Sequence, residues 1–410
     1  MRQDAQIREF MQSVGPGDIG VAVSGGGDSM ALLVLLADWA KSCGRMIRVV
    51  TVDHGLRQDA AAEAQFVAKM CRDLALDHTV LQWDGANYRG NLQDEARKAR
   101  LRLIGAWAQH HGLVAVATGH TQDDQAETFL MRLKRGSGVD GLSGMAPVVQ
   151  RKGVAWIRPL LQMRRADLRD LLNHRGVSWV EDPSNQDVRF DRVVMRNALS
   201  YLDEIGLSVE RLTQTAEAMA RARQALEWAT LSAARDCAEP MEIGTVQIDI
   251  AVWSAFPEEI RLRVLSHALN WVSGARYRPR LKALKACAQA VMDKRAHTLA
   301  GCYLAPFETN CCEISREISP VRPQDASLEQ FDGRWTCCAG QGEWRVLGDA
   351  GLKLFPEWRE TAQSRNALVA SPALWYNNEL KSAPFADKNE SGTCWLTDGT
   401  ESFFATIVTH

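Results

Sequence analysis

The chain has 410 residues, enough for two or three domains that each bury a core of their own. No apolar run approaches the roughly 18 residues of a membrane-spanning helix, and the first residues lack the apolar segment of a signal peptide, so we expect a cytoplasmic protein without membrane contact. The formal net charge of −2 neither requires nor excludes a nucleic-acid partner, because local clusters of charge decide phosphate binding.

The first half of the chain alternates short apolar runs with amphipathic segments. The runs that predict strands are 19–23, 47–52, 79–82 and 114–118. This alternation is typical of an α/β fold with a doubly wound parallel sheet. Ligands of such sheets bind beyond the carboxyl ends of the strands, where Ser24, Asp53 and Gly119 begin polar segments. The sequence therefore predicts that three segments meet in one crevice.

The run Ser24-Gly25-Gly26-Gly27-Asp28-Ser29 closes the first apolar strand and precedes an apolar helix. Glycines allow close backbone approach, and the amides at a helix start favour an anion. No lysine follows as in GxxxxGK[ST] loops, which argues against ordinary hydrolysis of a terminal phosphate. The bland alternative is a turn with Ser24 or Asp28 as the helix cap. The combination favours a pyrophosphate site, and it resembles the SGGxDS signature of the PP-loop ATP pyrophosphatases.

A second polar segment, 118–128, follows another apolar strand and begins a helix. Helical spacing puts His120, Asp124 and Glu127 near one face, with Asp123 beside them. One or two acids in a first turn would only complement the helix dipole. Three acids and a histidine favour a site for a cation or an amine, because clustered carboxylates repel each other until a positive group arrives.

The same segment matches HxxDDxxET, and together with the glycine run it resembles the tRNA(Ile)-lysidine synthase family. Further runs fit that family in order: VDHGLR at 52–57, EARKAR at 95–100, RLKRGSGVDGLSGM at 132–145, RPLL at 158–161 and EDPSN at 181–185. The resemblance is nearly continuous from residue 20 to residue 196.

The resemblance implies a ligase that modifies tRNA at the expense of ATP. ATP adenylates the C2 oxygen of the wobble cytidine in the CAU anticodon of tRNA(Ile), and the ε-amine of free L-lysine then attacks C2 and displaces AMP. Adenylation is needed because the C2 oxygen is a poor leaving group until it carries a phosphoryl ester. The bond of ATP that breaks lies between the α- and β-phosphates, so the glycine run would hold pyrophosphate.

The resemblance also implies a role for individual residues. The ATP-binding set is Ser24, Gly25, Gly26, Gly27, Asp28, Ser29, Asp53 and His54. The catalytic set is Asp28 as a Mg²⁺ contact, Arg97 at the α-phosphate, and Asp124 and Glu127 at the amino groups of lysine. Without the resemblance, Asp53 and His54 could equally end a strand in a turn, and Arg97 and Arg100 could be solvated helix arginines.

One segment departs from the family pattern. The family usually reads FxRNRxR after the DPSN turn, whereas here Val193 and Val194 replace the middle Asn and Arg. Arg192 and Arg196 stay four apart on one helical face, and we expect both to contact the tRNA.

The second half changes to long helical stretches, notably 208–237, and then to short β-like runs rich in Trp, Gly and Pro. We therefore expect a catalytic PP-loop domain at 1–200, a mainly helical domain at 201–318 and a small strand-rich module at 319–410. A basic run without acids surrounds Tyr277 and could be a solvated helix face, but in a tRNA-binding protein it predicts phosphate contacts. Its arginines are Arg276, Arg278 and Arg280.

Two other functions remain open from the sequence. A PP-loop tRNA thiolase would need a persulfide cysteine or an iron-sulfur cluster, but the first domain offers only Cys43 and Cys71, and the chain has no C-x-x-C pair. A non-catalytic RNA-binding nucleotide sensor would have no use for the acids around Asp124. The sequence predicts neither an oligomeric state nor the residues that would reject the methionine tRNA with the same anticodon.

Overall fold

The structure is a computed structural model that describes residues 2–55, 60–83, 92–151, 153–181, 189, 191–275, 277–387 and 393–408. The contacts within it divide the chain into two compact units, Met1–Arg223 and Gln224–His410. The three-domain division at 200 and 318 stays a prediction. Leu56, Arg57, the turn at 182–185, Phe190 and Arg276 lie outside the described residues. No helix in the described ranges is long and apolar enough to cross a membrane.

The first unit is built on a six-stranded sheet with the order β3-β2-β1-β4-β6-β5. Its strands are β1 (Ile19–Ala22), β2 (Ile47–Asp53), β3 (Asp77–Gln82), β4 (Ala115–Thr118), β5 (Val148–Arg151) and β6 (Val154–Ile157). Neighbouring strands are parallel except β5 and β6. The chain builds the sheet outward from β1 in one direction and then continues at β4 on the other side. This reversal creates a crevice at the carboxyl ends of β1 and β4.

Helices cover both faces of this sheet. They are α1 (Arg2–Gln12), α2 (Gly27–Cys43), α3 (Ala60–Asp73), α4 (Leu92–His110), α5 (Gln122–Lys134), α6 (Val139–Leu142), α7 (Arg165–His174), α8 (Asp191–Glu204) and α9 (Val209–Cys237), the last of which runs into the second unit. The apolar helix α2 is buried in one core with β1, and it ends at Gly44 in a left-handed turn. Ile104 and Trp107 of α4 pack with Val116 in a second core on the opposite face. The predicted doubly wound α/β fold is confirmed.

The second unit combines helices with three antiparallel sheets. Its helices are α10 (Ile250–Ser254), α11 (Glu258–Ser273), α12 (Leu281–Met292), α13 (Gly348–Leu352), α14 (Arg365–Ala370) and α15 (Ser402–Ala405). One sheet has the order β7-β8-β11-β10-β9, with strands β7 (Ala238–Pro240), β8 (Val246–Asp249), β9 (His297–Leu299), β10 (Cys302–Phe307) and β11 (Cys311–Arg316). The sequence pattern did not predict this sheet, which packs against the buried face of α11.

The region after residue 318 contains two smaller sheets. One has the order β12-β15-β16-β17, and the other has the order β13-β14-β18. The strands are β12 (Gln324–Asp325), β13 (Gln330–Phe331), β14 (Trp335–Cys337), β15 (Glu343–Val346), β16 (Pro372–Tyr376), β17 (Glu379–Ser382) and β18 (Cys394–Leu396). Phe331, Trp335 and Trp344 fill a core between them. The strand-rich character predicted for this region is confirmed.

Candidate active site

The glycine run forms the turn between β1 and α2. Gly25 has φ +88°, a conformation that side chains disfavour, and Gly26 is the N-cap residue of α2. The N-cap position is therefore taken by a residue without a side chain. Neither Ser24 nor Asp28 caps the helix, in contrast to the alternative interpretation of this run. The Ser29 hydroxyl accepts a hydrogen bond from the Ser24 amide at 3.1 Å and donates one to the Gly26 carbonyl at 2.9 Å. These bonds hold the loop in a shape that leaves the first turn of α2 available to an anion.

The end of β4 lies directly against this loop. A Cβ atom on Gly119 would come within 3.1 Å of the Asp28 backbone. Glycine is therefore required at this position, because backbone cannot give way as a flexible side chain can. The close approach brings the segment that contains Asp124 and Glu127 to the glycine loop.

A single guanidinium joins the loop to the acidic segment. Arg165, the first residue of α7, contacts Asp28 through Nε at 3.0 Å and Asp124 through Nη2 at 3.0 Å. Its Nη1 lies 3.3 Å from Glu127. Burial raises the pKa of Asp28 above its usual value, and Arg165 acts in the opposite direction. The protein itself therefore supplies the positive charge that compensates these three carboxylates.

Glu127 is the most deeply placed of these acids, with no exposed surface. In addition to Arg165, its carboxylate accepts hydrogen bonds at 2.8 Å from Nε of Arg192 and from Nε of Arg196. The four-residue spacing on α8 puts both arginines on the same carboxylate, as expected for one helical face. Glu127 therefore orients three guanidinium groups.

Asp124 closes the first turn of α5. Its Oδ2 accepts a hydrogen bond from the Thr121 amide at 2.8 Å, and the two residues form a reciprocal capping box. Although burial favours the protonated form, Arg192 and Arg165 keep the pKa of Asp124 below its usual value. Asp124 is therefore a carboxylate at neutral pH, and only one of its oxygens is engaged by the cap.

His120 lies just before α5 rather than on it. Burial is the main reason that the pKa of this imidazole falls to about 4. The Asp124 carboxylate opposes the fall, and the positive charges of Arg158, Arg192 and Arg97 add to it. Its Nδ1 is 3.0 Å from the Thr118 hydroxyl, which also lies 3.3 Å from the Ile157 carbonyl. Either tautomer of the imidazole can pair with this hydroxyl through Nδ1. With its lowered pKa, His120 is a neutral imidazole at neutral pH.

These segments surround one cavity of about 1200 Å³. Pockets for drug-sized ligands usually have about 300–1,000 Å³, so the cavity has room for more than one reactant. The charged residues that the structure describes on its wall are Asp28, Glu63, Asp124, Glu181, Arg97, Arg100, Arg151, Arg158, Arg165, Arg169, Arg192 and Arg196. Eight arginines against four carboxylates suit a polyanionic substrate.

Several predicted site residues lie elsewhere. The Asp53 carboxylate accepts a hydrogen bond from the Gly55 amide at 2.9 Å. This contact forms a strand-end turn, which is the alternative to ATP binding given for Asp53 above. Asp53 and Gly25 are not among the described residues of the cavity wall, whereas His54 is. Glu127 is buried behind the wall. Arg278 and Arg280 belong to the second unit, where both are exposed.

Sequence reasoning did not identify Arg165. It follows the RPLL run by four residues, and no spacing rule distinguishes it from the adjacent Arg164. Two other contacts were also missed. The Val180 amide donates a hydrogen bond to the Gly25 carbonyl at 2.9 Å, and the Trp179 ring lies against Gly27. Trp179 and Val180 lie directly before the EDPSN run at 181–185. The presence of that run among the family motifs is the one sequence signal that could have indicated these contacts.

Neither cysteine of the first unit suits sulfur chemistry in this cavity. Burial raises the pKa of the Cys71 thiol to about 11, and the Cys43 thiol contacts the Trp39 carbonyl at the end of α2. Neither is among the cavity residues described. Within the described ranges, no group of three or more His, Cys, Asp or Glu side chains could hold a metal ion.

Comparison with known proteins decides the family. Residues 1–202 match the family model of the PP-loop domain. The tRNA(Ile)-lysidine synthase of Ruegeria pomeroyi is 43% identical over 409 residues, which cover 98% of this chain and 97% of that protein. The chain belongs to the tRNA(Ile)-lysidine synthase family. A tRNA(Ile)-lysidine synthase of Wolbachia pipientis is 36% identical over 346 residues, 82% of this chain and 78% of that protein.

Among solved structures, this member of the lysidine synthase family is similar to the U34-tRNA thiolase NcsA of Methanococcus maripaludis. The TM-score is 0.48 and the identity 16%, over 54% of this chain and 79% of that one. The family resemblance predicted from the motifs is confirmed, as is the use of ATP that it implies. The thiolase alternative is not favoured.

Proposed function

We propose that this enzyme joins free L-lysine to C2 of the wobble cytidine in the CAU anticodon of tRNA(Ile), with adenylation of the C2 oxygen as the first step. The observation that carries the proposal is the Arg165 guanidinium, which contacts Asp28 of the glycine loop and Asp124 of the acidic segment at 3.0 Å each. The groups proposed for the departing pyrophosphate and for the incoming amine therefore share one cavity. A nucleotide sensor would not need the groups proposed for the incoming amine.

In the proposed first step, the amides of the glycine loop hold the β- and γ-phosphates while the C2 oxygen attacks the α-phosphate. Arg97, on the cavity wall, neutralises the charge that develops there. Mg²⁺ prefers one or two carboxylates together with phosphate oxygens and water, so the single Asp28 carboxylate fits it only when ATP is present. The ion would supply charge neutralisation at the phosphates. At the Asp28 carboxylate, the ion would take the place of the Arg165 guanidinium.

In the proposed second step, the ε-ammonium group of lysine gives up a proton to the Asp124 carboxylate, the resulting amine attacks C2, and the bond from C2 to the AMP oxygen breaks. Arg165 holds one oxygen each of Asp124 and Glu127. An ammonium group can replace a guanidinium there without changing the charge balance. We therefore assign Asp124, on the wall, as the first contact of the lysine amino group and Glu127 as the deeper one.

Incorporation of labelled lysine tests the proposal directly. The enzyme is incubated with Mg²⁺, ATP and either of the two tRNAs with a CAU anticodon. We expect label in the isoleucine tRNA and little in the methionine tRNA, and pyrophosphate exchange into ATP that requires both Mg²⁺ and tRNA. Incorporation of sulfur from a sulfide donor, with none from lysine, would contradict the proposal and favour the thiolase.

A further inference from the structure

A group of arginines in the cavity has no described acidic partner. Arg100 lies on α4, Arg151 ends β5 and Arg158 follows β6. Among the residues described, no carboxylate forms an ion pair with any of these three, in contrast to Arg165, Arg192 and Arg196. Arg151 is exposed, but Arg100 and Arg158 are only partly accessible to water. A charged group that is partly removed from water without a counter-ion is costly, so these two arginines point to an anion that the substrate supplies.

Arg158 is the most constrained of the three. Its Nη1 donates a hydrogen bond to the Ala146 carbonyl at 2.5 Å, which anchors one end of the guanidinium. Its Nε is buried and has no hydrogen-bond partner among the described residues. Burial, together with the charges of Arg151 and Arg97, lowers the pKa of Arg158 to about 10. A buried donor without an acceptor indicates that an acceptor arrives with a ligand.

Arg100 has the same electrostatic surroundings. Burial lowers its pKa, and the positive charges of Arg97 and Arg192 lower it further, with no opposing acid. Arg97 acts on both Arg100 and Arg158, so these positive groups form one cluster on the cavity wall. A phosphate oxygen accepts hydrogen bonds from such guanidinium groups and relieves their mutual repulsion.

The cluster is separate from the glycine loop. The loop follows β1, whereas Arg158 follows β6, and the strand order β1-β4-β6 places one strand between them. Neighbouring strands are about 4.8 Å apart, so the ends of β1 and β6 are separated by roughly 10 Å. Arg158 therefore extends from a different part of the cavity rim than the glycine loop does.

We infer that Arg100 and Arg158 form a second anion subsite, which takes a phosphodiester of the RNA strand whose base enters the cavity. The inference rests on the proposed function, because that function requires one nucleotide of an RNA to reach the ATP site. Phosphate contacts of this kind fix the register of the strand and leave base identity to other groups.

The test measures binding of an anticodon stem-loop RNA with the sequence CAU, by fluorescence anisotropy over a range of salt concentrations and without ATP. R100Q and R158Q should each weaken binding roughly tenfold, as expected for one charge-assisted contact, and should lower the salt slope by about one. The matched control is R102Q, which removes an exposed arginine of the same helix that does not line the cavity. R100K should restore most of the binding.

A second measurement distinguishes the source of the phosphate. Affinity for a non-hydrolysable ATP analogue, measured calorimetrically without RNA, should stay unchanged in R100Q and R158Q. A loss of analogue affinity with unchanged RNA binding would assign the cluster to the nucleotide and overturn the inference, as would an equal effect of R102Q. If the wild-type enzyme binds the stem-loop but incorporates no lysine, the proposed function fails while the subsite still stands on the salt slopes.

Discussion

The Arg165 guanidinium lies 3.0 Å from the Asp28 carboxylate, although 137 positions separate the two residues in the chain. Arg165 begins α7 and Asp28 lies in the first turn of α2, and these helices pack against each other on one face of the sheet. This pair compensates the carboxylate of the glycine loop. In the proposed first step, Mg²⁺ at Asp28 would take the place of Arg165.

Replacement of Arg165 by glutamine should impair both proposed steps. Asp28, Asp124 and Glu127 would lose their shared cation, and their mutual repulsion would favour protonation of Asp28. We expect lysine incorporation to fall by roughly a hundredfold, because a protonated Asp28 cannot share Mg²⁺ with ATP, and Arg165→Lys to recover part of it. Steady-state assays at saturating ATP measure the change.

The matched control for this variant is Arg175→Gln. Arg175 follows the other end of α7, pairs with Asp4 and Asp38 and does not line the cavity. Its loss should leave lysine incorporation within a factor of about two. Equal losses in both variants would show that α7 needs its arginines only for folding.

Asp28→Ala should abolish pyrophosphate exchange, because the loop loses the carboxylate proposed to share Mg²⁺ with ATP. The exposed Asp38 on the same helix provides the control, since Asp38→Ala removes an ion pair with Arg175 far from the loop. Exchange rates measured for both variants at several Mg²⁺ concentrations separate the two cases. An unchanged rate in Asp28→Ala would remove this residue from the site.

The sequence predicted the sheet and the three segments on it because each depends on local pattern. Apolar runs of four to six residues mark β1 to β4, and glycines mark the turn after β1. β5 and β6 were missed although they are as long as β1 and β4. β5 ends in the polar residues Gln150 and Arg151, and the antiparallel pairing of β5 with β6 does not follow the strand and helix alternation on which the prediction depended. The ion pairs of Glu127 could not be predicted either, since composition does not reveal which arginine, 38 to 69 positions away, reaches a given acid.

Glu127→Gln should weaken the use of lysine more than adenylation, because the amide loses the charge that an ammonium group needs. The structure adds a cost in stability. Three guanidinium groups would face a neutral side chain at a fully buried position, but the two from α8 are about a third exposed, so water screens part of the loss. We expect a cost of about 1.5–3 kcal/mol, the range for a hydrogen bond to a charged group. Urea unfolding measures that cost separately from the kinetics.

The weaker use of lysine and the loss of stability are distinguished by comparing the KM for lysine with the rate of pyrophosphate exchange in the folded fraction of Glu127→Gln. The neighbouring Asp123→Asn is a suitable control, because Asp123 pairs with the Arg164 guanidinium and contacts Arg165 only through the backbone amide, which an asparagine oxygen can still accept from. If the exchange rate of Glu127→Gln falls as far as lysine incorporation does, Glu127 does not discriminate between the steps. Its role would then be to position the arginines.

His120 should make the stability of the protein depend on pH between about 4 and 6.5. Its pKa is lowered to about 4 in the folded state, mainly by burial, so the unfolded chain binds its proton more readily over this interval. The stability it supports is present above pH 6.5 and is lost as the pH falls. The loss at pH 5 is about 2 kcal/mol.

Urea unfolding of the wild type and of His120→Gln at pH 7 and pH 5 measures this contribution, because all other titrating groups are common to both proteins. The wild type should lose more stability than His120→Gln over that interval, by the amount given above. His110→Gln, which removes an exposed imidazole at the end of α4, is the control for the loss of a histidine as such. An equal pH dependence in wild type and His120→Gln would mean that the imidazole is not held neutral in the cavity.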